Sequence, residues 1–326
     1  MVTRRAFPIL AVSLAAGLAA ASPVRAEKWD MPMAYPATNY HSETAVKFAE
    51  MVKQKTGGKL EIVTHPNGSL FKGDEIFRAV RTGQAPIGER LMSALGNEGP
   101  IFEVDQVPFL ATSFAASKKL DQATRAETDK VMAAKGVKLL YTVAWPPQGL
   151  YAKKEIKSAA DMKGVKFRAY NAATAKMAEL MGAVATKIEA AEVPQAFSTG
   201  VVESMVSSGA TGVDAKLWES TKFFYPIDAW LPRNMVFVNL DAWNKLDDAT
   251  KKAVTEAAAE AEKIGWAKGE ELTEFYKKEL AKNGMTVAPP SDQLVADFKK
   301  IGDTMLKDWL AKGGEGGKAA VEAYRK

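Results

Sequence analysis

Residues 161–208 read DMKGVKFRAYNAATAKMAELMGAVATKIEAAEVPQAFSTGVVESMVSS, and this stretch decides the fold. Val165-Lys-Phe-Arg168 is a short apolar-alternating strand that ends on a guanidinium. Asn171-Ala-Ala-Thr174 opens a helix expected over Ala172 to Met181. A second strand is expected from Val201 to Val206, with Ser207 and Ser208 at its end. Ligands of open α/β sheets sit outside the carboxyl ends of strands. Two strand ends meeting at a cleft, one carrying Arg168, therefore make a place to hold a carboxylate.

Working outward, the same strand–helix alternation precedes and follows this stretch. A strand at Lys28 to Met33 leads through Ala34 to Tyr40 into a helix with Ala45, Phe48, Ala49 and Val52 on one face, stopped by Thr56-Gly57-Gly58. Lys59 to Thr64 alternates as a strand closed by Pro66-Asn-Gly68, and Asp74 is the expected N-cap of a helix carrying Ile76, Phe77 and Val80. Ile87 to Leu91 and Val137 to Val143 are further strands. Trp145-Pro-Pro-Gln-Gly149 bends, and Leu150-Tyr-Ala continues extended. Asn234 to Asn239 reads as a strand that returns to the first unit. The proline-free run from Asp247 to about Asn283 is one long helix or two, with Gly265 and Gly269 as bend points. A last helix around Leu294 to Leu310 precedes a flexible Gly313 to Gly317. Such alternation predicts α/β units on largely parallel sheets. About 300 residues divide naturally into two lobes: 27–146 with about 233–272, and about 147–232 with 273–326. Two lobes joined by repeated crossings describe a hinged binder that closes on its ligand.

The first 26 residues read as an export leader: Arg4 and Arg5, an Ala/Leu-rich stretch, and Val24-Arg25-Ala26 before the cut. The paired arginines fit either a twin-arginine or a general secretory leader. Without the three leader arginines the net charge of +5 falls to +2, and the charges are interspersed, so neither nucleic acid nor a membrane surface is implied. No cysteine is present, which excludes disulfides, thiolate catalysis, thiolate metal sites and a lipidated cysteine. A freely diffusing periplasmic protein is expected.

Catalytic signatures are thin. The two histidines, His41 and His65, lack zinc spacing and read as a helix-start and a turn residue. Ser69-Leu-Phe-Lys72 and Lys55-Thr-Gly57 match penicillin-recognising motifs only in reversed order. No phosphate loop, nucleophile elbow or dinucleotide fingerprint occurs, so no cofactor or metal is expected. Arg168 itself admits two readings from spacing alone. It is an exposed strand-end ion pair worth little, or a bidentate clamp for two carboxylate oxygens.

Several linked motifs carry a family resemblance. They are Asp161-Met-Lys-Gly-Val-Lys-Phe-Arg168, Asn171-Ala-Ala-Thr174 and Glu192-Val-Pro-Gln-Ala-Phe-Ser-Thr-Gly-Val-Val-Glu203. Gly68-Ser-Leu-Phe-Lys-Gly73, Val107-Pro-Phe-Leu110 and Trp243-Asn-Lys-Leu246 extend them outward. In this order the chain resembles the DctP-like substrate-binding subunits of tripartite ATP-independent periplasmic (TRAP) transporters. The resemblance implies two α/β lobes with a long helix crossing both, and a monomer. It also implies delivery to the small and large membrane subunits of an ion-gradient-driven permease, with Arg168 pairing the substrate carboxylate. It departs from some relatives at Gln148, where sialic-acid binders place a second arginine, at Ser207, where they place asparagine, and at Glu203-Ser204, where Asp-Gly is common. One cation among neutral donors favours a monocarboxylate, aromatic or 2-oxo, over a dicarboxylate or sugar acid. In this scheme Arg168 clamps, and Gln148, Asn171 and Ser207 donate. Trp145 and Tyr35 give the apolar side, while Glu89 and Arg90 stand either beside the ligand or in solvent. Two other readings stay open: an exported enzyme using Glu203 or Glu89 as base, and a receptor for an ABC permease or sensor kinase.

Overall fold

The computed structural model describes residues 26–326; the expected export leader, up to Arg25, lies outside them. The first half of the chain runs β1 (Glu27–Pro32), α1 (Tyr40–Lys55), β2 (Leu60–His65), α2 (Ile76–Arg81), β3 (Ile87–Leu91), α3 (Phe114–Ala134), β4 (Val137–Ala144), β5 (Gln148–Ala152) and β6 (Lys166–Ala169). It continues with α4 (Ala172–Leu180), β7 (Val184–Lys187), α5 (Val193–Ser198), β8 (Ser204–Ser208), α6 (Gly209–Asp214) and β9 (Phe223–Tyr225). The rest is β10 (Arg233–Asn239), α7 (Leu240–Lys245), α8 (Asp248–Lys282), β11 (Thr286–Val287) and α9 (Asp292–Arg325).

These strands make two α/β lobes. In the first, β1 pairs with β2, an isolated Met33–Glu89 bridge joins them to β3, and β10 lies between β3 and β4. In the second, the order is β11-β9-β5-β8-β6-β7. Each sheet is largely parallel, as the alternation predicts, with one strand reversed. β10 runs antiparallel to both neighbours, and β5 runs antiparallel to β8 and β9. The cause is the chain path: β4–β5 leaves the first lobe and β9–β10 returns, so the two crossings oppose each other. They are bonded across the gap, with the Trp145 N–H on the Pro232 carbonyl at 2.7 Å and the Gln148 N–H on the Trp230 carbonyl at 3.1 Å. This antiparallel ribbon is the covalent hinge.

α8 crosses both lobes as one unbroken helix. Asp247 caps it by accepting from the Thr250 N–H at 2.6 Å. Gly265 and Gly269 are contact points rather than bends. A Cβ on Gly265 would stand 2.5 Å from Val143, and one on Gly269 would stand 2.9 Å from the Ala144 carbonyl, so hydrogen there lets the helix lie directly on β4. Toward its far end Leu280 packs with Tyr151 and Phe224 of the second lobe. α9 spans the molecule too. Leu294, Phe298 and Met305 fill the second lobe's core, while Trp309 Nε1 donates to the Pro100 carbonyl (2.7 Å) and Tyr324 to that of Leu110 (2.8 Å). The glycine run expected to be flexible belongs to this helix, kinked where Gly314 takes φ 56°.

Three local expectations shift. α2 starts behind Glu75, whose carboxylate accepts from the Lys72 N–H, and Asp74 faces Lys187 instead of capping. The strand expected from Val201 begins at Ser204, because Gly200 turns with φ 73° and leaves Val201 exposed. His65 ends β2 beside Asp30 (2.8 Å) rather than occupying the turn.

Candidate functional site

The ribbon, β6 and β8 converge on one small buried space of about 40 Å³. Arg168 projects into it from β6. Its folding logic is local: α4 is capped by Asn171, whose Oδ1 accepts from the Thr174 N–H at 2.8 Å while Thr174 Oγ1 accepts from Asn171 N. That reciprocal cap fixes the chain just past Ala169 and aims the strand end inward. Arg168 is 4% exposed, its Nε donates to the Ile188 carbonyl at 3.0 Å, and its guanidinium lies 5.2 Å from the Tyr170 ring centre. Among the described residues no carboxylate lies within ion-pair distance of it. Burial pulls the guanidinium down to about 10. An unpaired buried charge is costly, and a ligand anion is what would relieve it.

Gln148, the first residue of β5, lines the same space. Its Nε2 donates to the Pro146 carbonyl at 3.0 Å, and its side-chain oxygen has no protein donor among the described residues. Ser207 on β8 lines it as well and its hydroxyl has no protein partner among the described residues. Tyr35 and Trp145 form the apolar wall, edge to face at 4.8 Å. Trp145 is held from behind, with its Nε1 donating to Asn234 Oδ1 (2.7 Å) and Asn234 Nδ2 donating to Glu89. His41 also packs against the indole, 4.1 Å between ring centres.

The remaining sequence candidates lie outside this lining. Asn171 spends its amide on Ser93 Oγ (2.7 Å) and Gln106 Oε1 (3.1 Å), both on the first lobe, so it bridges the lobes. Glu89 sits behind Trp145, fully buried, and burial raises it to about 7. Arg90 pairs with Glu189 across the cleft at 2.9 Å. Arg90 and Asn171 instead border an outer cleft of about 710 Å³ between the lobes. Glu203 faces Lys153 and Ser204 in a separate surface depression. Sequence reasoning missed Tyr170, Thr211 and Leu91 in the lining. Tyr170 directly follows the strand end that carries Arg168, and that adjacency was the available signal. Its hydroxyl donates to Gln106 Oε1 at 2.9 Å, a further bond between lobes.

A cleft between two α/β lobes, joined by an antiparallel hinge and centred on one unpaired guanidinium, defines an anion-capturing receptor. Residues 32–312 match the family described as bacterial extracellular solute-binding protein, family 7 (DctP), and the chain belongs to that family. It is a TRAP-type extracytoplasmic receptor for small organic acids. Among solved structures it is similar to DctP6 of Bordetella pertussis, an extracytoplasmic solute receptor binding pyroglutamic acid. The two are 48% identical with a TM-score of 0.90, over 92% of this chain and 99% of that one. It is likewise similar to a marine metagenome TRAP solute-binding protein specific for pyroglutamate, at 50% identity and TM-score 0.91, over 92% and 99%. More distant is the C4-dicarboxylate-binding periplasmic protein DctP of Rhodobacter capsulatus, 26% identical over 80% of each chain. No described helix is long and apolar enough to cross a membrane.

Proposed function

We propose that the chain captures pyroglutamate, or a cyclic monocarboxylate of the same size, and hands it to the small and large membrane subunits of an ion-gradient-driven permease. The observation that carries this is Arg168, a buried guanidinium with no carboxylate partner among the described residues. Pyroglutamate brings one carboxylate for it. The ligand's lactam also offers an N–H and a carbonyl, which suit the free oxygen of Gln148 and the free hydroxyl of Ser207. The remaining ring methylenes lie against Tyr35 and Trp145. A simple 2-oxo acid or an aromatic acid would satisfy Arg168 but leave the Gln148 oxygen without a donor. The likeness to two pyroglutamate receptors at 48% and 50% identity supports the same choice.

In this reading the protein is a receptor and not an enzyme. Glu89 and Glu203, the two acids that could act as bases, both stand outside the cavity. The lobes are 27–146 with about 233–272 and about 147–232 with 273–326, α9 ending against the first lobe, and they close on the ribbon. The leader is removed near Ala26, and the mature chain works as a periplasmic monomer. Calorimetric titration tests the ligand. One pyroglutamate per chain, recovered unchanged by mass spectrometry after denaturation, is expected. Proline, which lacks the lactam carbonyl and carries a positive amine, should give no heat. Absence of pyroglutamate binding, or its conversion, overturns the proposal.

A further inference from the structure

We propose that Glu189 sets the charge selectivity of the cavity: by holding Arg90 from across the cleft it leaves Arg168 as the cation offered to the ligand, so singly charged acids enter and dicarboxylates are turned away. This rests on the receptor function proposed above. Arg90 comes from β3 of the first lobe, and Glu189 stands after β7 in the second. Arg90 Nη2 lies 2.9 Å from one Glu189 oxygen and 3.2 Å from the other, with side chains 5% and 18% exposed. Leu91 and Ala190, the residues following each partner, both line the cavity, so the pair stands at its rim.

The neighbouring backbone ties this pair to the clamp. Ile188 gives its carbonyl to Arg168, and the next residue, Glu189, gives its carboxylate to Arg90. Two guanidinia from opposite lobes are thus held by successive residues, one through a neutral acceptor and one through a full charge. The outcome is that Arg168 keeps its charge for a ligand while Arg90 does not. Gly73 makes room for the pair, since a Cβ there would come within 2.6 Å of Glu189 Oε2 and would also overlap the Arg90 guanidinium. Lys187 lies 3.3 Å from Glu189 as well, but it is 57% exposed and also faces Asp74, so water competes for it. The buried arginine is the partner that matters. Removing the Glu189 charge would leave Arg90 a second unpaired buried cation, a state that a second ligand carboxylate relieves.

The test is calorimetric titration of wild type, Glu189→Gln and the double variant Glu189→Gln/Arg90→Gln with pyroglutamate, malonate, succinate and glutarate. In Glu189→Gln the Kd ratio of the best dicarboxylate to pyroglutamate should fall by about tenfold or more, and the double variant should restore it. A pair acting only as a closing latch would weaken every ligand by one factor, leave the ratio unmoved and overturn the inference. Wild type that fails to bind pyroglutamate sinks the receptor proposal and this inference with it. Wild type that binds, with an unmoved ratio in Glu189→Gln, sinks this inference alone. If Glu189→Gln does not fold, Glu189→Asp, which loosens the pair by one methylene, should shift the ratio in the same direction by a smaller factor, and an unmoved ratio there counts equally against it.

Discussion

Replacing Arg168 with glutamine should separate binding from folding. The guanidinium is 4% exposed and makes one backbone bond, from Nε to the Ile188 carbonyl. Breaking a buried ion pair by removing one partner costs about 3–5 kcal/mol. At about 1.4 kcal/mol per tenfold, the variant should bind its acid roughly a hundredfold to a few thousandfold more weakly. The empty protein should behave in the opposite way. Burial lowers the guanidinium to about 10, which corresponds to on the order of 3 kcal/mol set against the charged form when no anion is present. Arg168→Gln should therefore unfold at the same temperature as wild type or a higher one without ligand, and lose the ligand-induced rise. Calorimetric titration and thermal unfolding with and without pyroglutamate read the two effects separately. Binding within tenfold of wild type, or a ligand-free variant less stable by more than about 2 kcal/mol, would refute the assignment of Arg168 as an unpartnered clamp.

Other positions carry equally specific expectations. Glu89, raised to about 7 by burial, titrates near 4.3 when unfolded, so the folded state holds the extra proton between those values. Its stability contribution is full below about 4.3 and is lost as pH rises through 7. Glu89→Gln, which mimics the protonated form, should therefore match wild type near pH 4 and exceed it by on the order of 3 kcal/mol above pH 8 in urea unfolding; an equal gain at both pH values counts against it. Arg233→Met should destabilise by about 3–5 kcal/mol, because it leaves Asp105 and Asp121 buried without their shared cation. A loss under 1 kcal/mol would mean that those acids are already neutral. Gly265→Ala should lower stability by about 1–3 kcal/mol through overpacking on Val143, despite alanine's better helix propensity. Any stabilisation would show that α8 can lift off β4. Ser207→Ala should weaken pyroglutamate binding by roughly three- to tenfold, the worth of one hydrogen bond, with no change in unfolding of the free protein.

Much of this was legible in the chain because the decisive features are local. Arg168 at a strand end, the Asn171–Thr174 helix start and the Asp247 start of α8 depend on neighbours within four residues, and the structure has each of them. What escaped depends on partners far along the chain. α3 had no clear apolar period, since its buried face includes Ser117, Asp121, Thr124 and Thr128. Thr124 and Thr128 donate to the Leu120 and Thr124 carbonyls one turn back, while Asp121 Oδ1 accepts from Thr142 Oγ1 of β4 and from Arg233 of β10. The antiparallel course of β10 follows from a return crossing that no local pattern encodes. Gly265 and Gly269 signal a bend in isolation, and only the presence of Val143 and Ala144 makes them contact points. Asn171 shows the same limit from the other side. Its place at the start of the helix was readable, whereas the commitment of its amide to Ser93 and Gln106 needs the first lobe in place.

The polar layer between the lobes bears on how an acid would control closure. Apart from the hinge, polar contacts between the lobes include Asn171 with Ser93 and Gln106, Tyr170 with Gln106, Asn39 with Asp214 at 2.6 Å, Phe109 with Ala229, Lys187 with Asp74, and Arg90 with Glu189. Hydrogen bonds of this kind contribute about 0.5–1.5 kcal/mol each against water, and somewhat more where a charge takes part. They are sufficient to define one closed geometry. Opposing them is Arg168, whose burial without an anion sets on the order of 3 kcal/mol against the same geometry. A ligand shifts such an equilibrium only by its differential affinity for the two states. A bound carboxylate would supply that difference directly to the extent that opening the cleft exposes Arg168 to water, because it cancels the burial penalty of the shut geometry. If Arg168 is the clamp proposed above, the charge that recognises the acid is also the charge that couples its arrival to closure, and a neutral analogue that fits the same space would lack this second effect.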